Sequence, residues 1–540
     1  MISGAEIMVK CLEAEGVDIV FGYPGAAICP FYDKVYDSSI THILVRQEQN
    51  AAHAASGYAR CSNRPGVCVA TSGPGATNLI TGIATAYTDS IPIVAITGQV
   101  RSDLLGRDVF QEADITGACE PFVKHSYLVS KTEDLPRVFK EAFHIASTGR
   151  PGPVLIDIPV DIQENEIESF EYPESVNIIG YKPNTKGHAI QVKKAVEAIN
   201  ASKRPVIVSG GGVLSSGIKL KLQKFAGTTG IPVISTMMGI GVMPSEHELY
   251  LGMLGTHGKA VANRALHEAD LVIVCGARLG DRAVAAPDQM SENTKVIHID
   301  IDPAEIGKNV KTEIPIVGDM KNVINMLLDS IGDYKVTTMW SETVKNWKKD
   351  LYREPPVFDG FVEPRTLVGH LSAMFRSKAI LVADVGQNQI WCANNFRIRE
   401  GRFLTTGGMG TMGYSIPAAI GAKFARPDRD VIVICGDGSF QMGLNELATI
   451  AGNQLGIKII IMKNARLGMV RELQDKHYGG RHSATILNGD PDFLKIADAY
   501  GIDHAEAHSN KEAENIIKGI VDSEKPFILV CDVHPDTPSI

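Results

Sequence analysis

The sequence contains no apolar run that reaches the roughly 18 residues needed to cross a bilayer, so no membrane-spanning helix is expected. It has no basic excess: 53 Lys and Arg stand against 62 Asp and Glu, a net charge of -9. That balance gives no footprint for nucleic acid or acidic lipid, and no run of like charge forms a tail. Its nine cysteines (Cys11, Cys29, Cys61, Cys68, Cys119, Cys275, Cys392, Cys435, Cys531) contain no C-x-x-C. Odd in number and scattered, they predict reduced, mostly buried thiols of a cytoplasmic protein, not a disulfide frame or a zinc site. A targeting leader is not expected either, since Ser3-x-x-Glu6 reads as a capping box opening a helix.

The 540 residues, 44% apolar and 21% charged, predict a soluble protein of two to four domains. Three segments alternate short β-rich runs with helical patterns, the signature of α/β domains with parallel sheets flanked by helices. The first, residues 1–165, carries "GVCVAT", "IPIVAITG" and "GPVLIDIP". The second, 190–335, carries "RPVIVSG", "IPVIST", "DLVIVCG" and "KVIHIDID". After a charged helix and a Pro-rich linker, the third, 362–540, carries "AILVADVG", "DVIVICGDG", "IKIIIMKN" and "FILVCDV".

Glycine is abundant at the strand ends, in "GYPGAA", "TSGPGATN", "SGGG" and "TTGGMGTMG". Each loop alone could be a tight turn, but together they sit where α/β folds bind cofactors. Gly436-Asp437-Gly438 follows the unbroken apolar run Val431–Cys435, which predicts a strand buried on both faces. Asp-Gly favours hairpins. Here Phe440, Leu444, Leu447 and Ile450 recur at helical spacing, so strand, loop and helix are expected instead. Beyond the next apolar strand comes Asn464. An Asp at one strand end and an Asn at the next can place two oxygens on one hard cation, with a carbonyl and diphosphate oxygens completing the octahedron that Mg²⁺ prefers.

With this spacing the chain resembles the thiamine-diphosphate-dependent enzymes, whose Gly-Asp-Gly is followed 25 to 30 residues later by Asn-Asn; Lys463 replaces the first Asn here. The resemblance implies Asp437, Asn464 and the carbonyl of Arg466 as metal ligands. It also implies a glutamate supplied by the partner subunit, with Glu48 as candidate. A carboxylate in an apolar pocket has its pKa raised and can share a proton with the aminopyrimidine. The likeness narrows, through "FGYPGAAICPFYD", "SGPGATNLITGIATAYTDSIPIVAITGQV", "GRPGPVLIDIP", "GMLGTHG", "HIDIDPAEIGKN", "DVGQNQIW" and "GGMGTMGYSIPAAIGA", to the catalytic subunits of the acetohydroxyacid (acetolactate) synthases.

That family decarboxylates pyruvate and joins the two-carbon unit to a second 2-keto acid, pyruvate or 2-ketobutyrate, in branched-chain amino acid biosynthesis. By position, Tyr23, Pro24, Gly25, Glu48, Phe110 and Gln111 would come from one subunit. Gly386, Gln387, Asn388, Gly410, Met412, Asp437, Gly438, Ser439, Asn464 and Met469 would come from the other, with Met412 under the cofactor. FAD is implied at Arg150, Gly210, Gly211, Gly212, Thr236, Met237, Leu254, His257, Gly276, Arg278, Arg282, Asp300 and Asp319. A homodimer or tetramer with interfacial active sites is implied, and a small regulatory subunit is a candidate partner. Departures are Gly280 for a common Asp, Leu473 for the usual Trp, Ala26 for Gly, Arg101 for Pro and Val160 for Lys. That Trp is associated with 2-ketobutyrate preference and with inhibitor stacking. Two rivals are a pyruvate oxidase, which shares fold and cofactors but passes electrons to the flavin, and a silent nucleotide-binding relative. The second would have lost Glu48 or Asp437, and both are present.

Overall fold

In the computed structural model, which describes residues 1–540 apart from 286–293, 353 and 490, the apolar runs become the inner strands of three six-stranded parallel sheets. The N-terminal sheet contains β1 (Ile19–Gly22), β2 (Thr41–Leu44), β3 (Gly66–Ala70), β4 (Ile93–Gln99), β5 (His125–Leu128) and β6 (Val154–Pro159), in the order β2-β1-β3-β4-β6-β5. The central sheet contains β7 (Pro205–Ser209), β8 (Val233–Ser235), β9 (Tyr250–Met253), β10 (Leu271–Cys275), β11 (Lys295–Asp300) and β12 (Ile314–Val317), ordered β9-β8-β7-β10-β11-β12. The C-terminal sheet contains β13 (Ile380–Ala383), β14 (Arg402–Leu404), β15 (Val431–Gly436), β16 (Ile457–Lys463), β17 (Asp503–Ala507) and β18 (Phe527–Asp532). Its order, β14-β13-β15-β16-β18-β17, repeats that of the N-terminal sheet.

These orders matter because ligands of open α/β sheets bind beyond the carboxyl ends of strands, where the winding direction reverses. In the N- and C-terminal sheets that reversal lies between the first and third strands; in the central sheet it lies between β7 and β10, the order of a dinucleotide-binding fold. Ser3 accepts from the Glu6 N–H at 3.2 Å and caps the helix Gly4–Ala14, as the sequence suggested. All nine cysteines are free and eight of them are buried. Among the described residues no helix is long and apolar enough to cross a membrane.

The N- and C-terminal sheets share one core through two helices. The Ala-rich stretch after Glu48 forms the helix Glu48–Ser62, which packs on Ser415–Ala425 with Ala51, Ala54, Ala55, Ala418 and Ala422 all buried. The backbones approach so closely that a Cβ on Gly421 would lie 1.8 Å from the Ala54 carbonyl oxygen, and one on Gly57 2.0 Å from that of Ala418. Alanine gains about 1 kcal/mol of helix propensity over glycine, whereas overpacking a filled core costs about 1–3 kcal/mol or more. Gly421→Ala is therefore expected to lower the thermal midpoint. An unchanged or raised midpoint in calorimetry would mean that the helix pair can separate freely.

The charged segment before the third sheet is not a bare connector. Its helix Thr338–Asp350 buries Trp340 and Val344 against the central sheet, with Trp340 Nε1 donating to the Pro205 carbonyl at 3.1 Å.

Candidate functional site

The strand-end aspartate lies where register puts it. β15 and β16 pair in parallel with Gly436 opposite Met462, so Asp437 emerges beside Lys463 and Asn464. It is 1% exposed and opens the short helix Asp437–Gln441. Its Oδ2 accepts from the N–H groups of Asn464 (2.9 Å) and Ala465 (2.6 Å), and its Oδ1 from that of Gly438 (2.8 Å). The expected single helix through Ile450 is broken: a 3-10 turn at Leu444–Glu446 separates Asp437–Gln441 from Leu447–Gly452. Phe440, Leu447 and Ile450 are buried nonetheless, while Leu444 is only partly so.

Ala465 holds φ 54, a left-handed value uncommon outside glycine, and swings the chain into an antiparallel bridge between Arg466 and Ile486. The bridging bonds run from Leu467 N to Thr485 O and from Leu487 N to Ala465 O, leaving the Arg466 carbonyl out of them. A carboxylate, an amide oxygen and a backbone carbonyl are thus gathered at one strand end. All are hard oxygen donors, the set that suits Mg²⁺. Lys463 points to other partners, Asp532 at 3.4 Å and Glu506 at 3.8 Å.

Around this corner lie the other residues the sequence singled out in the third segment. Gly386, at φ 143, precedes the helix Gln387–Asn395, which starts just beyond the end of β13, beside the reversal between β13 and β15. Asn388 donates to the carbonyls of Asp384 (2.7 Å) and Ile434 (3.2 Å). Ser439 Oγ accepts from Gly436 N at 3.1 Å. A Cβ on Gly438 would meet Leu467 at 2.9 Å, Leu487 at 3.4 Å and the Met412 methyl at 3.9 Å, so these three side chains form an apolar wall beside the glycine. Met469 lies in the helix Gly468–Tyr478, one turn before Leu473 and on the same face.

One anchoring residue escaped the sequence reading. Asp384, fully buried, accepts from Val385 N, Gly413 N, Ser415 N and Ser415 Oγ at 2.6–3.0 Å. Burial pushes its carboxyl pKa up, and those donors oppose the shift. It ties the loop carrying Gly410 and Met412 to the end of β13. The signal was available: like Asp437, it is an acid directly after an apolar strand.

The N-terminal residues gather at the reversal of their own sheet. Gly25 is pressed on Thr71, where an added Cβ would lie 2.4 Å away, and Ala27 N donates to Thr71 Oγ1 at 3.2 Å. Tyr23 and Pro24 precede it directly after β1. Glu48 opens the helix Glu48–Ser62, accepts from Asn78 Nδ2 at 3.0 Å and lies beside Gly75. It is half-buried within one chain, and its pocket is part polar. Gln111, at φ 60, packs on Gly73, and the adjoining Phe110 is 86% exposed.

In the central sheet, Gly210 N donates to the Cys275 carbonyl (2.9 Å) and Gly212 N to that of Gly276 (3.0 Å), so the two glycine turns meet at the reversal between β7 and β10. Thr236 and Met237 follow β8, Leu254 and His257 follow β9, and Arg278 follows β10. Burial lowers the His257 pKa. Asp300 ends β11, where burial raises its pKa to about 6, and Asp319 caps the helix Met320–Ser330. Gly280 has open space where a Cβ would stand, so the missing Asp is no packing necessity. Arg282 is exposed beside Asp281. Arg150 is committed to protein groups: Glu305 at 2.7 Å, Asp302 at 3.3 Å and Ser90 at 2.9 Å.

Comparison with known proteins gives three matches along the chain. Residues 2–118 match the thiamine pyrophosphate enzyme N-terminal TPP binding domain, 192–327 the central domain and 384–531 the C-terminal TPP binding domain. The chain is 47% identical to a probable acetolactate synthase large subunit of Methanocaldococcus jannaschii, covering 99% of this chain and 92% of that one. It is 45% identical to an acetolactate synthase large subunit of Haemophilus influenzae (93% and 89% covered) and 43% identical to one of Lactococcus lactis (98% and 92%).

Proposed function

Because this chain belongs to the thiamine pyrophosphate enzymes, and among them to the acetolactate synthase large subunits, we propose that it joins pyruvate to a second 2-keto acid at a site built around Asp437. The product is 2-acetolactate from two pyruvates, or 2-aceto-2-hydroxybutyrate from pyruvate and 2-ketobutyrate, and its use is branched-chain amino acid synthesis in the cytoplasm. The observation that carries the reading is the convergence of Asp437, Asn464 and the Arg466 carbonyl at one strand end.

Thiamine diphosphate, when bound, supplies the nucleophilic carbon and the electron sink that decarboxylation requires. Asp437, Asn464 and the Arg466 carbonyl would hold Mg²⁺, with the diphosphate at the N-terminus of the helix Gln387–Asn395. Met412, Leu467 and Leu487 exclude water on one side. Glu48 holds and passes a proton at its carboxylate. Tyr23, Phe110 and Gln111 line the approach from the N-terminal domain.

Two copies complete the site, Glu48 of one facing Asp437 of the other. Tyr23 and Phe110 in the N-terminal domain, with Met442, Val470 and Leu473 in the C-terminal domain, leave apolar surface open on the single chain, which supports such pairing. The domains are taken as 1–165 for the pyrimidine, 190–335 for FAD and 362–540 for the diphosphate. FAD fits the central sheet by strand order and glycine crevice, with Gly210 to Gly212, Arg278 and Asp300 to hold it. A small regulatory subunit is a further expected partner. Stripping the purified protein with a chelator should abolish CO₂ release from pyruvate, and Mg²⁺ with thiamine diphosphate should restore it; full activity after stripping would refute the metal reading.

Acceptor choice falls to Leu473, 47% exposed on the face of Met469. One methylene of apolar contact is worth roughly 1–3 kcal/mol, or about 10- to 200-fold in selectivity, and leucine offers less surface than tryptophan. The protein is expected to discriminate weakly between pyruvate and 2-ketobutyrate and to tolerate sulfonylurea-type inhibitors. Leu473→Trp should raise ketobutyrate preference and inhibitor sensitivity together. Competition between the two acids is the assay, and strong ketobutyrate preference in the unaltered protein would assign selectivity elsewhere.

A further inference from the structure

Gln387 is 4% exposed, and every polar atom of its side chain has a partner within the chain. Its Nε2 donates to Glu472 Oε1 at 2.7 Å and to the Thr537 carbonyl at 2.8 Å. Its Oε1 accepts from Asn464 Nδ2 at 2.9 Å. Glu472 is held in turn by the last residues of the chain: Ser539 N donates to Oε1 at 2.8 Å and Ser539 Oγ to Oε2 at 2.7 Å. We propose that Glu472 is a positioning residue for the metal ligand Asn464, acting through the side-chain amide of Gln387. The inference rests on the assignment of Asn464 to the metal.

Donor and acceptor identity fixes which atom each amide presents. An amide end carries an acceptor oxygen and a donor NH₂ of nearly equal shape, so an asparagine can present either one. A carboxylate and a backbone carbonyl only accept. Together they require the NH₂ of Gln387 and turn its oxygen toward Asn464. That oxygen only accepts as well, so it takes the NH₂ of Asn464 and leaves Oδ1 as the atom available to a cation. Oδ1 already accepts from Arg466 N at 3.1 Å, on the turn that carries the third ligand.

The approach of Gln387 depends on a second feature. A Cβ at Gly468 would lie 1.8 Å from Gln387 Oε1, although that glycine is helical and needs no unusual φ. The space left at Gly468 is the space the amide fills. Two positions on the helix Gly468–Tyr478, one facing each end of the Gln387 amide, therefore fix the same orientation.

Partners that orient a ligand typically change metal affinity 10- to 100-fold when removed. The test measures Mn²⁺ affinity by electron paramagnetic resonance, with thiamine diphosphate present, in full-length Glu472→Ala, Glu472→Gln, Gly468→Ala and Asp437→Ala proteins, alongside metal-free thermal midpoints. Glu472→Ala and Gly468→Ala should each weaken Mn²⁺ binding by about 10- to 100-fold. Glu472→Gln keeps an acceptor oxygen for Gln387 and should recover most of the affinity, which a purely structural loss would not do. Wild-type affinity in Glu472→Ala and Gly468→Ala, with binding lost in Asp437→Ala, overturns the inference and leaves the metal site standing. Wild-type affinity in Asp437→Ala overturns the metal site itself.

Discussion

Asp437→Ala is expected to abolish turnover, a loss of at least about 10³-fold, and excess Mg²⁺ is expected to restore little. A metal ion contributes several kcal/mol of charge stabilisation, and at about 1.4 kcal/mol per factor of ten that sets the scale. The loss is compounded locally, because Asp437 also accepts from the N–H groups of Gly438, Asn464 and Ala465. A buried N–H left unpaired costs about 1–3 kcal/mol, so the loop carrying Asn464 and Arg466, the other two proposed ligands, loses its support with Asp437. Circular dichroism and the thermal midpoint separate the global fold from the site, since the core of the C-terminal sheet does not include this carboxylate. Near-normal turnover at ordinary Mg²⁺ concentration would end the assignment.

Glu48→Gln carries the second large effect. The amide keeps an oxygen to accept from Asn78, so folding and cofactor binding should survive. It cannot share a proton with the pyrimidine, and the expected loss in turnover is the 10²- to 10⁴-fold typical of an acid–base group. The direct readout is proton exchange at the thiazolium carbon of bound thiamine diphosphate. Slow exchange in Glu48→Gln supports the relay; exchange as fast as in wild type removes Glu48 from it.

The proposed metal corner was legible in the sequence because each part leaves a local mark. Five apolar residues before Gly436 announce a strand buried on both faces, and Asp437 is then a charge with nowhere to go but a site. Parallel pairing converts a spacing of 27 residues into a contact. Asp384 leaves the same mark in "ILVADVG", an acid directly after an apolar strand. Glu472 left none: its partners Gln387 and Ser539 are remote in sequence, and an acid on an amphipathic helix looks solvated until the tail folds onto it.

The sheets divide in the same way. Inner strands such as β3 ("GVCVA") and β15 are apolar throughout and were read directly. Edge strands β2 ("THIL"), β5 ("HSYL") and β14 ("RFL") were missed, being short and part polar. The single helix expected over Phe440 to Ile450 was broken because periodicity reports the buried face and not the turn at Gly443, beside which Glu446 is drawn to Arg46 N (2.8 Å) and Asn50 (2.9 Å) of the N-terminal domain.

Acetolactate synthesis by this protein is tested most directly by supplying the purified protein, loaded with thiamine diphosphate, Mg²⁺ and FAD, with pyruvate alone while its flavin absorbance is followed. Two pyruvates should give one 2-acetolactate and one CO₂ with the flavin remaining oxidised; acetate formed as the flavin band bleaches, with no acetolactate, would contradict it.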